Sequence, residues 1–439
     1  MIPKSIKLLL VASLIPMALF AQSTKELNIN QAIELGIANS KNLKLSQNKI
    51  DQAMAQLEVV KDNALPSANA NFIYNHAEIP TTTFTLPGGG SSFHLPNRAD
   101  AFVGTAAVQE LVYGGGKLKY AKESTKLLAD VARLDADKNK EEITYAVINT
   151  YYALYKIAQS KKVVDQNLES IAAQIKQAQR FFEQGIVTKN DVLRFQLQQA
   201  NVTLNQMDIE SNRKIINYNL DILLGLPEDT EINIADPSVG LKSIGSLNEY
   251  IAQAMTNRQE LKQLDVQNKV ADYNIKTVKA NTLPTVAVGA NLYYINPSGS
   301  FIPPVNQYLM PVTVGATVSW NIGSLWTNKN KVSEAKIEQN AITFQKDILT
   351  DQVKTDINKN FQTYQVAVNK IQVLETSIAQ ATENDKLLAS KYKNNVASVT
   401  DRIDAETLLY QAKINLEIAK ADAGLAYYTL LKSTGKITQ

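Results

Sequence analysis

Proline placement constrains this chain more than any other feature. The thirteen prolines fall only within 3–16, 66–96, 227–237 and 284–311, leaving proline-free tracts at 17–65, 97–226, 238–283 and 312–439. Proline lacks a backbone N–H and clashes with the preceding helical turn, so it ends helices. Two tracts of more than a hundred residues without it predict very long helices. The clusters recur in order, as if one unit were written twice.

The residues repeat as well. The stretch from Asn39 to Pro66 aligns with Asn257 to Pro284 at an offset of 218, with Leu43 on Leu261 and Leu65-Pro66 on Leu283-Pro284, and each runs on into an alternating segment that reaches Tyr74 and Tyr294. Its apolar seam (Leu43, Ser46, Ile50, Ala53, Leu57, Val60) maps onto Leu261, Leu264, Asn268, Ala271, Ile275 and Val278. This 3-4 spacing belongs to a helix packed like a coiled coil. Further on the offset becomes 210, placing Val147 on Ile357, Asp191 on Asp401 and Gly225 on Gly435. The last helix keeps the spacing throughout, from Leu409, Ala412 and Leu416 to Ala423, Ala426 and Leu430. Heptads alone specify packing and not function, and a coiled-coil scaffold fits them equally well.

Between the helices the period changes to two. Val314, Ala316, Val318 and Trp320 alternate with Thr313, Gly315, Thr317 and Ser319; Val286 to Tyr294 and Ala68 to Tyr74 alternate likewise, and 101–113 is a noisier fourth strand. Here the polar face carries Asn, Thr, Ser and Gly rather than Lys and Glu, and aromatics (Tyr74, Tyr113, Tyr294, Trp320) sit near strand ends. That pattern fits a transmembrane barrel strand with lipid on one side and water on the other; a soluble hairpin pair packed on a helix is the other reading. Four strands cannot close a barrel, which needs about eight. An open sheet edge cannot face lipid. The barrel reading therefore requires several copies. The glycines at 88–90 lie between strands and precede no helix, so they form a hairpin loop and not a phosphate cradle.

Composition removes other classes. There is no cysteine, hence no disulfide or thiolate metal site, and the only histidines, His76 and His94, lie in a loop-rich region. No metal, cofactor or enzymatic activity is expected, and no P-loop is present. Net charge is +3 with no basic face, so nucleic acid is not an expected partner. Residues 1–21 read as a secretory signal: Lys4 and Lys7, an apolar run from Leu8 to Phe20, and cleavage after Ala21. The mature chain is expected outside the cytoplasm, without a transmembrane helix.

Helix lengths complete the outline. Long helices over about 115–184 and 325–394 would each span about 105 Å. The returning helices at 189–225 and 400–433, and those at 30–65 and 247–283, are about half as long, so two stacked halves match one full helix. A hollow cylinder of about 100 Å follows, with strands at one end, helix-to-helix turns at the other and 226–246 near the middle.

These features resemble the TolC family of outer-membrane efflux and secretion channels. The carriers are Asn39 to Leu43 and RQEL (258–261), the two Leu-Pro pairs, LVYGGGK (111–117), FEQGIVTKNDVL (182–193) and YKNNVASVTDRIDA (392–405), in order and in both halves. The resemblance implies an α+β, mainly α fold: long antiparallel coiled-coil helices with four transmembrane strands per chain. It implies a homotrimer forming a 12-stranded β-barrel in outer-membrane lipid above a periplasmic α-helical barrel. The chain would divide into a first repeat at 22–225 (hairpin 66–113), a mid-tunnel connector at 226–246, and a second repeat at 247–439 (hairpin 284–322). It would serve as the passive exit duct of a tripartite efflux or type I secretion system. Its tip turns, Gly185, Ile186 and Val187 with Asn395, Val396 and Ala397, would dock a periplasmic adaptor (membrane fusion) protein and an inner-membrane pump of RND, ABC or MFS type. Asn395 stands where the family has glycine, and Arg402 where an apolar residue is common.

By the same resemblance Asp401 and Asp404 align with constricting aspartates, with Asp191 the first-half equivalent of Asp401, and Arg402 and Tyr392 are placed as gate ion-pair partners. Threefold symmetry would make each aspartate a ring selecting cations. All three also lie in the first turn of a helix, where carboxylates cap free N–H groups. A secreted coiled-coil scaffold or adhesin without a pore is the alternative to the channel.

Overall fold

The computed structural model describes residues 24–78, 80, 83–85, 88, 92–94, 98–237, 242–297 and 308–438. The signal at 1–21 and Gly89–Gly90 of the hairpin loop lie outside them. In chain order the elements are β1 (Thr24–Leu27), α1 (Ile29–Asn39), α2 (Lys41–Asp62), β2 (Ser67–Glu78), β3 (Thr83–Thr85), β4 (Ser92–His94), β5 (Arg98–Tyr113), α3 (Lys117–Glu183) and α4 (Lys189–Leu224). The second half follows with β6 (Glu231–Ile234), α5 (Leu247–Asn257), α6 (Gln259–Ala280), β7 (Thr285–Pro297), β8 (Val312–Ser319), α7 (Ser324–Lys393) and α8 (Val399–Ser433). The fold is mainly helical, and α3 and α7 contain 67 and 70 residues.

The chain divides into two compact units that cut across both repeats. One comprises residues up to Ser40, Glu141–Leu247 and Ile357–Gln439; the other comprises Lys41–Lys140 and Asn248–Asp356.

The second unit holds a four-stranded antiparallel sheet in the order β2-β5-β7-β8. Its register explains the alternation. Phe72 pairs with Gly104 and Tyr74 with Phe102, Gly104 pairs with Tyr294, Ala106 with Leu292, and Leu292 with Val312. Directly paired residues share a face, so Phe72, Tyr74, Phe102, Val108, Leu292, Val288, Val314 and Val318 gather on one side. Asn69, Asn71, Thr105, Asn291, Thr313 and Thr317 gather on the other. The irregular alternation near the end of β5 has a physical cause: the register with β7 shifts between Leu111 and Tyr113, a bulge that re-aims the side chains there. Every residue of β2 and β8 is exposed, and each has one unpaired edge among the described residues.

Two helices expected as single pieces are broken. The first splits at Ser40 (φ −61°, ψ 117°) into α1 and α2, the second at Arg258 (φ −56°, ψ 121°) into α5 and α6. No proline or glycine marks either break. At the first, the Asn39 side chain donates to Leu224 O at the end of α4 (2.7 Å), and a Cβ on Gly225 would lie 2.7 Å from Asn39. A tertiary contact thus overrides local helix propensity.

The first unit has its own core, in which Val147, Ile148, Tyr151, Leu220, Leu224 and Ile232 are essentially dry. Here β1 pairs in parallel with β6, more than two hundred residues away. The single Tyr151 hydroxyl proton is shared between the carbonyls of Ala235 (2.7 Å) and Leu27 (3.0 Å), fastening β1 and the residue after β6 to α3. The other edge of β6 is occupied by a side chain. Asn217 Nδ2 donates to Thr230 O (2.7 Å) while its Oδ1 accepts from Ile232 N (2.9 Å). Asp221, fully buried, accepts from the same Nδ2 at 2.9 Å and fixes the amide orientation. Burial, reinforced by Asp229, pushes the Asp221 carboxyl up to about 6 against the lowering effect of Asn217.

Candidate functional site: the tip turns

Both long helices end in the same hydrogen-bonded turn. In the first, Gly185 N donates to Phe182 O (2.9 Å) and Ile186 N to Phe181 O (2.8 Å); in the second, Asn395 N donates to Tyr392 O (3.0 Å) and Val396 N to Lys391 O (2.8 Å). This is the double closure that satisfies the last helical carbonyls, and it needs a left-handed residue. Gly185 supplies it at φ 75° and Asn395 at φ 61°. Asparagine tolerates that region better than other residues with a Cβ. Ile186 and Val396 are exposed, Val396 at 73%, while Val187 and Ala397 are half-buried.

The returning helices open with matching caps. Thr188 N and Oγ1 both donate to Asp191 Oδ2 at 2.8 Å. Ser398 N (3.0 Å) and Oγ (2.7 Å) donate to Asp401 Oδ2, and Asp401 N returns a bond to Ser398 Oγ (3.1 Å). Both are capping boxes. The Ser398 hydroxyl and amide hold the Asp401 carboxyl below the usual carboxylate range. Asp404, expected in the first turn, lies beyond it in α8, is exposed, and has no hydrogen-bond or ion-pair partner among the described residues. Three residues apart on α8, Asp401 and Asp404 share a face.

Arg402 and Tyr392 do not pair with these aspartates. Arg402 lies about a hundred degrees around the helix from Asp401, is buried, and forms an ion pair with Asp385 of α7. It occupies the position that the buried Val192 takes in the first half. Tyr392 is buried in an aromatic cluster, its ring 5.9 Å from Phe195 and 6.1 Å from Phe181, and its hydroxyl has no hydrogen-bond partner. Burial, with a smaller contribution from Asp191, pushes its phenol up.

The sequence reading did not single out the residues that lock α8 at the tip. Besides Asp385 they include Glu406, buried and accepting from Gln174 Nε2 of α3 (2.6 Å), and Arg194 of α4, which donates to Thr400 (2.8 Å). One signal was available: polar residues at heptad positions of long helices, which must find partners when buried.

The chain is thus mainly helical and written twice, with one strongly apolar face on its sheet. Residues 32–226 and 250–436 match the outer membrane efflux protein family, and the chain belongs to that family. It is similar to the pyoverdine export outer membrane protein OpmQ of Pseudomonas putida, with 20% identity over 92% of this chain and 85% of that one. It is similar to the outer membrane efflux protein BepC of Brucella suis biovar 1, with 18% identity over 76% and 73%. Among solved structures, VceC of Vibrio cholerae superposes with a TM-score of 0.74 at 15% identity, covering 94% of this chain and 97% of that one. The open-state MtrE channel of Neisseria gonorrhoeae superposes with a TM-score of 0.70 at 14% identity, covering 94% and 89%. The protein is a TolC-like efflux channel of the outer membrane that extends into the periplasm. Members of the family are channels and not enzymes.

Proposed function

We propose that three copies of this chain close one barrel and one tunnel, forming the passive exit duct of a tripartite efflux or type I secretion system. The open sheet carries this reading. Its strands β2 and β8 have unpaired edges, and lipid offers such edges no hydrogen bonds. Three four-stranded sheets joined edge to edge give twelve strands and leave none open. An exposed stripe on α4 (Leu193, Leu197, Leu204, Ile215, Ile222) keeps heptad-compatible spacing and calls for a helix of a neighbouring copy. In this reading the chain consists of two repeats, 22–225 and 247–439, with 226–246 as the connector at mid-tunnel. Mass measurement of the mature chain in detergent should return three protomers; a detergent-free soluble monomer would overturn the proposal and favour a scaffold.

The tip turns, Gly185 to Val187 and Asn395 to Ala397, are the proposed dock for a periplasmic adaptor linked to an inner-membrane pump of RND, ABC or MFS type. The exposed Ile186 and Val396 suit that contact, since they present apolar surface at the turn. We assign the narrowest carboxylate ring to Asp401 and Asp404, with Asp191 lining the first-half turn. Asp404 bears most on the gate because it has no capping role. Asp404→Asn is expected to raise single-channel conductance in planar bilayers and reduce cation preference, with a larger effect for Asp401→Ala combined with Asp404→Ala. Unchanged currents in both variants would remove the gate assignment.

A further inference from the structure

Three of the four places where helices meet the sheet concentrate positive charge; the fourth, the end of α2, carries Lys61 against Glu58 and Asp62. The two helical turns nearest the strands, at 56–62, 117–124, 273–280 and 324–331, carry eight lysines against three acidic residues, Glu58, Asp62 and Glu123. That local excess of +5 is larger than the +3 of the whole chain. Lys61 and Lys276 are engaged by Glu58 and Asp272. The other six, Lys117, Lys119, Lys122, Lys279, Lys329 and Lys331, have no ion-pair partner among the described residues. Neither α3 nor α7 has an acidic residue in its first turn, although carboxylates are favoured there. Lys61 and Lys279 complement the last turns of α2 and α6, whereas the lysines at the starts of α3 and α7 are not spent on local helix stabilisation.

The same corner is apolar and rigid. Trp320 continues the alternation of Val314 and Val318, so the apolar face of the sheet runs directly into it. It is 49% exposed while its Nε1 donates to Thr282 O at 3.0 Å. Ile322 (53%), Leu325 (51%) and Trp326 (69%) follow, uncovered. Ser324 Oγ donates to Asn281 O (3.0 Å) and Asn328 Nδ2 to Val278 O (2.8 Å), locking the start of α7 onto the end of α6. Tryptophan at the end of a membrane strand, followed within the next helix by lysines that have no ion-pair partner among the described residues, is the chemistry of a bilayer interface whose headgroups are negative.

We propose that this junction is a collar binding anionic phospholipid headgroups of the periplasmic leaflet of the outer membrane. The proposal rests on the reading that the sheet crosses that membrane. The test uses the chain's only two tryptophans, Trp320 and Trp326, as depth and lipid-class reporters. The full mature protein is reconstituted in phosphatidylcholine vesicles doped with equal small fractions of either brominated phosphatidylcholine or brominated phosphatidylglycerol. Brominated phosphatidylglycerol is expected to quench about threefold more strongly, in line with the attraction of each lysine for an anionic surface. The excess should fall towards the zwitterionic level in Lys329→Gln with Lys331→Gln, and in Lys117→Gln with Lys119→Gln. It should also shrink between about 0.1 M and about 1 M salt, where the screening length drops from about 10 Å to about 3 Å. Equal quenching by both lipids in the unaltered protein would overturn the collar while leaving the membrane-crossing sheet intact. Absence of quenching by either lipid would overturn both.

Discussion

The two tip turns share a backbone and differ in what packs beneath it. Gly185 and Asn395 close their helices with the same pair of hydrogen bonds, and Asp191 and Asp401 cap the returning helices with the same box. Offset by 210 residues, the side chains diverge. Phe195 is fully buried where the second half has Ala405, and Phe182 is exposed where the second half buries Tyr392. Val192 is answered by Arg402 with its Asp385 partner, and Arg194 by Asp404. Features common to both turns are what any helical hairpin end needs. Features present once are the buried Phe195 in the first half and the buried Arg402–Asp385 ion pair in the second, and the ion pair is the one that a change in charge can release.

That contrast can be broken directly. Phe195→Ala, which gives the first turn the residue of the second, should cost about 3–5 kcal/mol of local stability. Hydrogen exchange of the amides flanking Gly185 and Asn395 would read it: Phe195 also packs on Tyr392, so both turns should loosen, and a loss confined to Gly185 would show that the shared aromatic cluster does not couple them. Asp385→Ala should weaken the second turn by about 3 kcal/mol, since it strands a buried guanidinium. Adding Arg402→Val should restore most of that loss by recreating the Val192 arrangement; no recovery in thermal melts would mean the pair does more than balance charge. Gly185→Ala is expected to cost about 1 kcal/mol because φ is positive. Asn395→Gly should stay within about 0.5 kcal/mol of the parent. The smallest effect is a pH dependence at the second turn. The Asp401 carboxyl is lowered in the folded state, so its stabilisation is present above the ordinary carboxylate range, near pH 4, and disappears as pH falls through the lowered value. Exchange protection of Val399–Arg402 that is flat with acidification would contradict the capping box.

Much of this architecture was legible in the chain because its signals are periodic. Heptads marked α8, where Ala412, Leu416, Ala419, Ala423, Ala426 and Leu430 are all buried, and alternation marked the apolar sheet face. What escaped reading depends on partners distant in sequence. The Ser40 break is associated with Leu224 and Gly225, and β1 is a strand only because β6 lies beside it. The partner of Arg402 sits seventeen residues back, across the turn. At the tip, alignment of aspartates located the caps, while burial decided that Arg402 turns away from them.

The Asn217 carboxamide that fills the free side of β6 has a consequence for how the protein survives secretion. A short parallel pair with a bare rim is a template for foreign strands, and a crowded envelope compartment supplies them. By stoppering that rim with its own side chain, held in place by Asp221, the molecule denies intruders a landing place there. Among the described residues β2 and β8 keep open edges of the four-stranded sheet, and in the proposed assembly these are the margins that would meet sister copies, so mis-assembly and correct assembly would compete at the same seam.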